Sequence, residues 1–300
     1  MKLSLSVLLY ISLCMSVSSV LAGNTQCGSW PQGMVFVGLT DLGWETYVVT
    51  NEGGQPQKID LNTEARTPLY SPANGFVIYL DSAGRVNQFL LDQGESKVLL
   101  PSSDQATYAQ PEINEAHNTL YLVEFKQGKS VDTDIIQYDL DSGNIKPVVT
   151  QRSAQFEPWF VGDWLYYSNV HCVVGCGKII QEVWRYHVIS GIAEQVTLLN
   201  AISRQPFVDE GKSWLYFSSN VSGNYHIYRQ SLLDNDGRLV ERLTEGEVTD
   251  MSPSIHQGRL YFIRHNAKGV EMMCRDARDG ELHAMTIPSG IKDIRDLEIH

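Results

Sequence analysis

The sequence predicts an all-β fold, a six-bladed β-propeller of four-stranded blades. Three observations carry that expectation. Short apolar runs rich in Tyr, Val, Ile and Phe are bounded by Gly, Asn, Asp and Ser, with no long helical periodicity. Prolines recur at a nearly constant interval, the mark of a repeat architecture. The two ends of the chain are complementary parts of one repeat.

Along the chain, the first unit is incomplete. Met34-Val35-Phe36-Val37, Thr46-Tyr47-Val48-Val49 and Gln57-Lys58-Ile59-Asp60 supply the second, third and fourth strands of a blade, but no first. Five full units follow, each opened by a proline: Pro68, Pro111, Pro158, Pro206 and Pro253, separated by 43, 47, 48 and 47 residues. A Tyr-bearing second strand follows each proline: Ile78-Tyr79-Leu80, Leu120-Tyr121-Leu122, Leu165-Tyr166-Tyr167, Leu215-Tyr216-Phe217 and Leu260-Tyr261-Phe262. Third strands are seen in Ile135-Ile136-Gln137-Tyr138, Val183-Trp184-Arg185-Tyr186 and His226-Ile227-Tyr228. Polar turns such as Asp139–Gly143 and Asp234-Asn235-Asp236-Gly237 lead into short fourth strands, as in Val148-Val149-Thr150 and Arg242-Leu243-Thr244. Four strands in about 45 residues is a propeller blade. Residues 293–300 resemble the opening of the preceding blade, Asp250 to His256, so the last strand is expected to complete the first blade and leave no open sheet edge.

The composition suits a folded chain of this size: 300 residues, 43% hydrophobic, 19% charged. A formal charge of −12 lacks the basic footprint of a nucleic-acid binder, so no nucleic-acid partner is expected. Residues 1–22 carry Lys2, an apolar stretch and small residues ending at Ala22, the pattern of a cleaved secretory signal peptide. Residues 23–32 read as a short N-terminal segment and 33–300 as the propeller, with no transmembrane segment after cleavage. Cleavage would also remove Cys14 and leave Cys27, Cys172, Cys176 and Cys274, an even set suited to an oxidising compartment. Of three possible connectivities we favour Cys172–Cys176 within one hairpin loop and Cys27–Cys274 across the ends of the chain; a metal site from His171, Cys172 and Cys176 is the competing reading.

Residues 202–264 carry the most specific motifs. Ser218-Ser219-Asn220-Val221-Ser222-Gly223-Asn224-Tyr225-His226-Ile227-Tyr228 and Arg242-Leu243-Thr244 resemble the propeller repeats of the TolB family of bacterial envelope proteins. The family's Ser-Pro-Asp-Gly element is looser here, as Ser71-Pro72-Ala73-Asn74-Gly75 and Asp209-Glu210-Gly211. The resemblance implies a propeller over the whole mature chain, in the periplasm or secreted. TolB carries an α/β domain before its propeller, whereas about ten residues precede the first strand here, so TolB's own partners do not transfer.

The sequence holds no Gly-x-Ser-x-Gly elbow, phosphate loop or His-Glu-x-x-His helix after residue 22, so no residue is assigned a catalytic role, and no cofactor or metal is expected. His256 and His300 follow the innermost strands of neighbouring blades and are expected to face one funnel, but no third ligand stands out. Trp164, Trp184 and Trp214 read as packing between blades, and Asp234–Gly237 as a tight turn rather than a calcium loop. Equivalent repeat positions make Asn74, Glu112, Trp159, Asp209, His256 and His300 the candidates for a ring-face binding site. The expectation is an exported, monomeric, non-catalytic platform for an envelope protein or peptide. The alternatives are a carbohydrate-active lyase or hydrolase working in the funnel, and a small-ligand sensor.

Overall fold

A computed structural model describes residues 27–172, 177–209, 211–233, 239–276 and 280–300. Its strands form six antiparallel four-stranded sheets. In the first blade, β1 (Met34–Thr40), β2 (Gly43–Val48) and β3 (Gln57–Ile59) pair in sequence order. The second is β4 (Arg66–Ser71), β5 (Phe76–Leu80), β6 (Val86–Leu90) and β7 (Glu95–Leu100). The third is β8 (Ala106–Asn114), β9 (Thr119–Lys126), β10 (Thr133–Asp139) and β11 (Ile145–Val149), with a 3₁₀ turn at Glu115–His117. The fourth is β12 (Gln155–Val161), β13 (Trp164–Cys172), β14 (Ile180–His187) and β15 (Ala193–Gln195). The fifth is β16 (Ser203–Val208), β17 (Trp214–Ser222), β18 (Asn224–Ser231) and β19 (Val240–Arg242). The sixth is β20 (Thr249–His256), β21 (Arg259–Asn266), β22 (Gly269–Arg275) and β23 (Leu282–Ala284). The last strand, β24 (Asp293–Ile299), lies antiparallel to β1 and completes the first blade from inside. Gly33, at φ +88°, admits that strand: a Cβ there would collide with the His300 carbonyl.

Alternation along each strand sends successive side chains to opposite faces, so a blade feeds two seams. Six hydrophobic clusters result, one at each seam between neighbouring blades. The seam of blades one and six packs Trp30, Met34, Phe36 and Tyr47 on Tyr261, Ile263, Met272 and Cys274. Blades two and three meet through Leu69, Ile78 and Leu80 against Leu120, Leu122 and Ile136. The remaining four seams are smaller versions of the same contact. Burying this apolar area stabilises the fold by roughly 25 cal/mol per Å2, and the stability is spread around the ring rather than held in one centre.

The tyrosine repeat holds in four blades and slips in one. Tyr121, Tyr166, Tyr216 and Tyr261 each pair with the second residue after the inner-strand bulge, whereas Ile78 takes that place in blade two. Tyr79 is one residue on, so it faces the seam with blade one. Cys27 and Cys274 form a disulfide with Cα atoms 5.7 Å apart. The signal segment, the Cys172–Cys176 pairing and the Asp234–Gly237 turn lie outside the described residues, apart from the backbone of Cys172. No helix among the described residues is long and apolar enough to cross a membrane.

Candidate functional site

The six inner strands, β4, β8, β12, β16, β20 and β24, surround a central channel. Each carries one bulge residue with positive φ: Thr67, Gln110, Glu157, Gln205, Ser252 and Asp296. Proline follows five of them, removing an N–H that the bulge would leave without a ladder partner; Leu297 follows the sixth. Holding non-glycine residues in this region costs on the order of 1 kcal/mol each. A series of five hydrogen bonds running from blade to blade offsets that cost. The N–H of Thr67 donates to Asp296 Oδ2 at 3.2 Å, that of Gln110 to Thr67 Oγ1 at 3.2 Å, and that of Glu157 to Gln110 Oε1 at 2.9 Å. The Gln205 N–H then reaches Glu157 Oε2 at 2.8 Å, and the Ser252 N–H reaches Gln205 Oε1 at 2.9 Å. From blade one round to blade six, the bulge side chain of one blade therefore satisfies the bulge backbone of the next, and these five bonds build a rigid waist in the channel.

On one side of the waist the channel opens into a funnel of about 630 Å3. Its walls carry Tyr108, Phe125 and Phe156 beside Arg66, Asp81 and Arg204. Phe125 and Phe156 pack tilted, with centroids 6.1 Å apart. Arg204 Nε donates to Glu157 Oε1 at 2.9 Å, so Glu157 ties the funnel wall to the waist. The Glu157 carboxylate beside Arg204 holds the guanidinium firmly charged, although burial opposes it. The funnel thus combines aromatic surface, fixed charge and exposed Arg66, the mixture typical of a ligand site.

On the other side lies a smaller chamber of about 180 Å3, walled by Trp159, Phe207, Ser254 and Glu298. Beyond it His300 crosses the axis. Its ring stacks on Trp159 of the opposite blade at 5.1 Å, and Trp159 meets Phe207 at 4.1 Å. His300 Nε2 lies 2.6 Å from Glu298 Oε1 and 3.5 Å from Glu112 Oε2. Glu112 is only 1% exposed; its Oε1 accepts the Phe160 N–H at 2.8 Å, and its Oε2 has no hydrogen-bond partner. Burial pushes the Glu112 carboxyl up, with the Glu298 charge adding to it and His300 opposing. Burial also works against charging His300, but the Glu112 and Glu298 carboxylates outweigh it and raise the imidazole.

The structure brings Glu112, Trp159 and His300 together, while the other three candidates engage other partners. Asn74 Nδ2 donates to Ser71 Oγ at 2.9 Å within a turn. Asp209 Oδ1 accepts the N–H groups of Ser213 and Trp214, both at 2.8 Å, capping the hairpin into β17. His256 pairs with Glu52 at 3.1 Å. Sequence reasoning missed Glu298 and Phe207, which stand two residues after a bulge residue, as Glu112 and Trp159 do. Aligning the inner strands on the bulge would have found both. Of the funnel residues, Arg66, Phe156 and Arg204 directly precede a bulge and Tyr108 stands two before one, where the repeat shows no fixed residue type, while Asp81 and Phe125 come from the second strands and the turns after them.

The chain matches no protein-family profile and no curated protein sequence. Solved structures share its fold. TolB from Acinetobacter baumannii superposes with a TM-score of 0.71 at 15% identity, over 88% of this chain and 66% of that one. A structure described as TolB from Agrobacterium tumefaciens gives 0.64 at 14% identity, over 87% and 90%. An oligogalacturonate lyase in complex with manganese gives 0.58 at 13% identity, over 84% and 73%. The chain is a TolB-like propeller in fold, and it spans 66% of the length of the Acinetobacter protein.

Proposed function

We propose that this protein is an exported, non-catalytic propeller of the bacterial periplasm that holds an extended segment of an envelope protein in its funnel. The observation carrying the reading is the 630 Å3 funnel, open at the mouth and narrowed by the bulge waist, with aromatic walls and guanidinium groups for a peptide's side chains and carbonyls. The likeness to TolB propellers supports the envelope setting. So does the Cys27–Cys274 bond, since disulfides persist in oxidising compartments. Affinity capture from envelope extracts, run with the native chain and with Phe156→Ala, tests it. A stoichiometric partner retained by the native chain and lost by the variant is expected. Failure to find such a partner, or equal capture by both proteins, overturns the reading.

A second reading, a carbohydrate-active lyase or hydrolase, is favoured by one observation: a buried carboxyl, Glu112, and an imidazole, His300, face each other 3.5 Å apart in the channel. A lyase acting on oligogalacturonate shares the fold. Turnover of acidic oligosaccharides that vanishes in His300→Ala would establish this reading in place of the first.

A further inference from the structure

Glu112 comes from blade three, while Glu298 and His300 come from the strand that closes blade one. We propose that these three side chains form a site for one divalent first-row transition-metal ion, which pins the ring-closing strand to the far wall of the channel. One ligand atom from each residue lies within 4.8 Å of the other two. Bonds of about 2.0–2.2 Å to nitrogen and oxygen set the ligand atoms about 3.0–3.5 Å apart, so rotation of the side chains has to draw the wider pair in and ease apart His300 Nε2 and Glu298 Oε1, now at 2.6 Å.

The second observation is the state of Glu112. Its Oε1 is fixed by the Phe160 N–H, and its Oε2 is buried, without a hydrogen bond, and directed at His300 Nε2. A buried oxygen left unpaired costs about 1–3 kcal/mol, and a metal ion is a partner that removes that cost. The anchored Oε1 supplies the outer hydrogen bond that ligating carboxylates need. Trp159, stacked on the imidazole, sets the ring's orientation in the same way.

Charge and donor type narrow the ion. Two carboxylates and a neutral imidazole carry −2, which a divalent cation cancels. The imidazole nitrogen disfavours Mg2+ and Ca2+, which take oxygen ligands, and suits zinc and its first-row neighbours. Glu298 also lines the 180 Å3 chamber, so water can complete the coordination from there. This departs from the expectation of no metal, and it rests on neither functional reading.

The test uses the mature chain stripped with a chelator and dialysed, then titrated with Zn2+ by calorimetry and counted by elemental analysis. One Zn2+ per chain is expected, with affinity lowered about tenfold or more in Glu112→Gln and in His300→Ala. Zn2+ should raise the melting temperature of the native chain and leave both variants unmoved. Glu298→Gln, at the half-buried rim, serves if either of the others fails to fold. Absence of stoichiometric Zn2+, unchanged affinity in the folded variants, or sulfur ligands in the X-ray absorption spectrum would overturn the proposal, the last by moving the ion to cysteine.

Discussion

His226 shows how one buried side chain sets a pH limit on the whole fold. It is 2% exposed on β18, 3.7 Å from Asp250, which Arg264 grips with two hydrogen bonds. Burial lowers the imidazole's affinity for a proton, and nearby Arg242 lowers it further, against the pull of Asp250. The unfolded chain therefore binds this proton more readily than the fold does. Its contribution to stability is complete above the unfolded value of about 6.5 and declines as pH falls below it, by at most about 1.4 kcal/mol per pH unit. Melting temperatures of the native chain should drop between pH 7.5 and pH 5. In His226→Gln the drop should be smaller, and equal drops would refute the assignment. The sequence showed His226 only as a strand residue of the repeat, because its partner Asp250 comes from the inner strand of the next blade. Glu112, Trp159 and His300 were legible as repeat positions, but their convergence depends on His300 crossing a channel whose width the sequence does not encode.

At the scale of the element, two recurring devices explain motifs that read at first as bare similarity. The Thr near the end of a blade, in Leu243-Thr244 and Val196-Thr197, works through its hydroxyl: Thr244 Oγ1 accepts the N–H of Ile227 at 3.0 Å, and Thr197 Oγ1 that of Val183 at 2.8 Å. Each supplies a buried acceptor for the third strand beside its outer strand. Thr244→Val keeps the shape and strands a buried N–H, so a loss of about 1–3 kcal/mol in denaturant unfolding is expected; no loss would show that the N–H finds another partner. The second device is the bulge waist. Glu157 accepts from Gln205 N–H, Ser168 and Arg204 together. Glu157→Ala removes all three and leaves Arg204 unpaired beside the funnel, and a loss of roughly 3 kcal/mol is expected. Glu157→Gln should recover part of it, because one amide oxygen can still accept. The prolines made the repeat visible in sequence. The positive φ before them and the bonds from blade to blade were not visible, since four of the bonds join residues 43 to 48 positions apart and the fifth residues 229 apart, each through a backbone N–H.

For the whole molecule, the decisive seam is the one between blades six and one, where a ring of sheets opens or stays shut. Three separate ties cross it or complete it. Strand β24 pairs with β1, the largest of the six hydrophobic clusters lies across it, and Cys27 is bonded to Cys274 over a separation of 247 residues. Trp30, 2% exposed, sits in the same cluster and anchors the segment that brings Cys27 there. Strand pairing and packing act on the folded ring. The disulfide acts mainly on the unfolded chain, whose freedom it cuts by closing a very long loop. The chain-entropy account puts that near 5 kcal/mol for such a loop, while measured bonds typically give about 2–4 kcal/mol. Replacing both cysteines, Cys27→Ser with Cys274→Ser, should therefore leave a folded propeller that unfolds at lower denaturant, by about 2–4 kcal/mol. The native chain in reductant should match it. Amide exchange should rise first in β1 and β24, since the staple guards the strands that pair near the two ends of the ring. If both proteins unfold at the native midpoint, or if exchange rises evenly round the ring, the seam is held by pairing and packing alone.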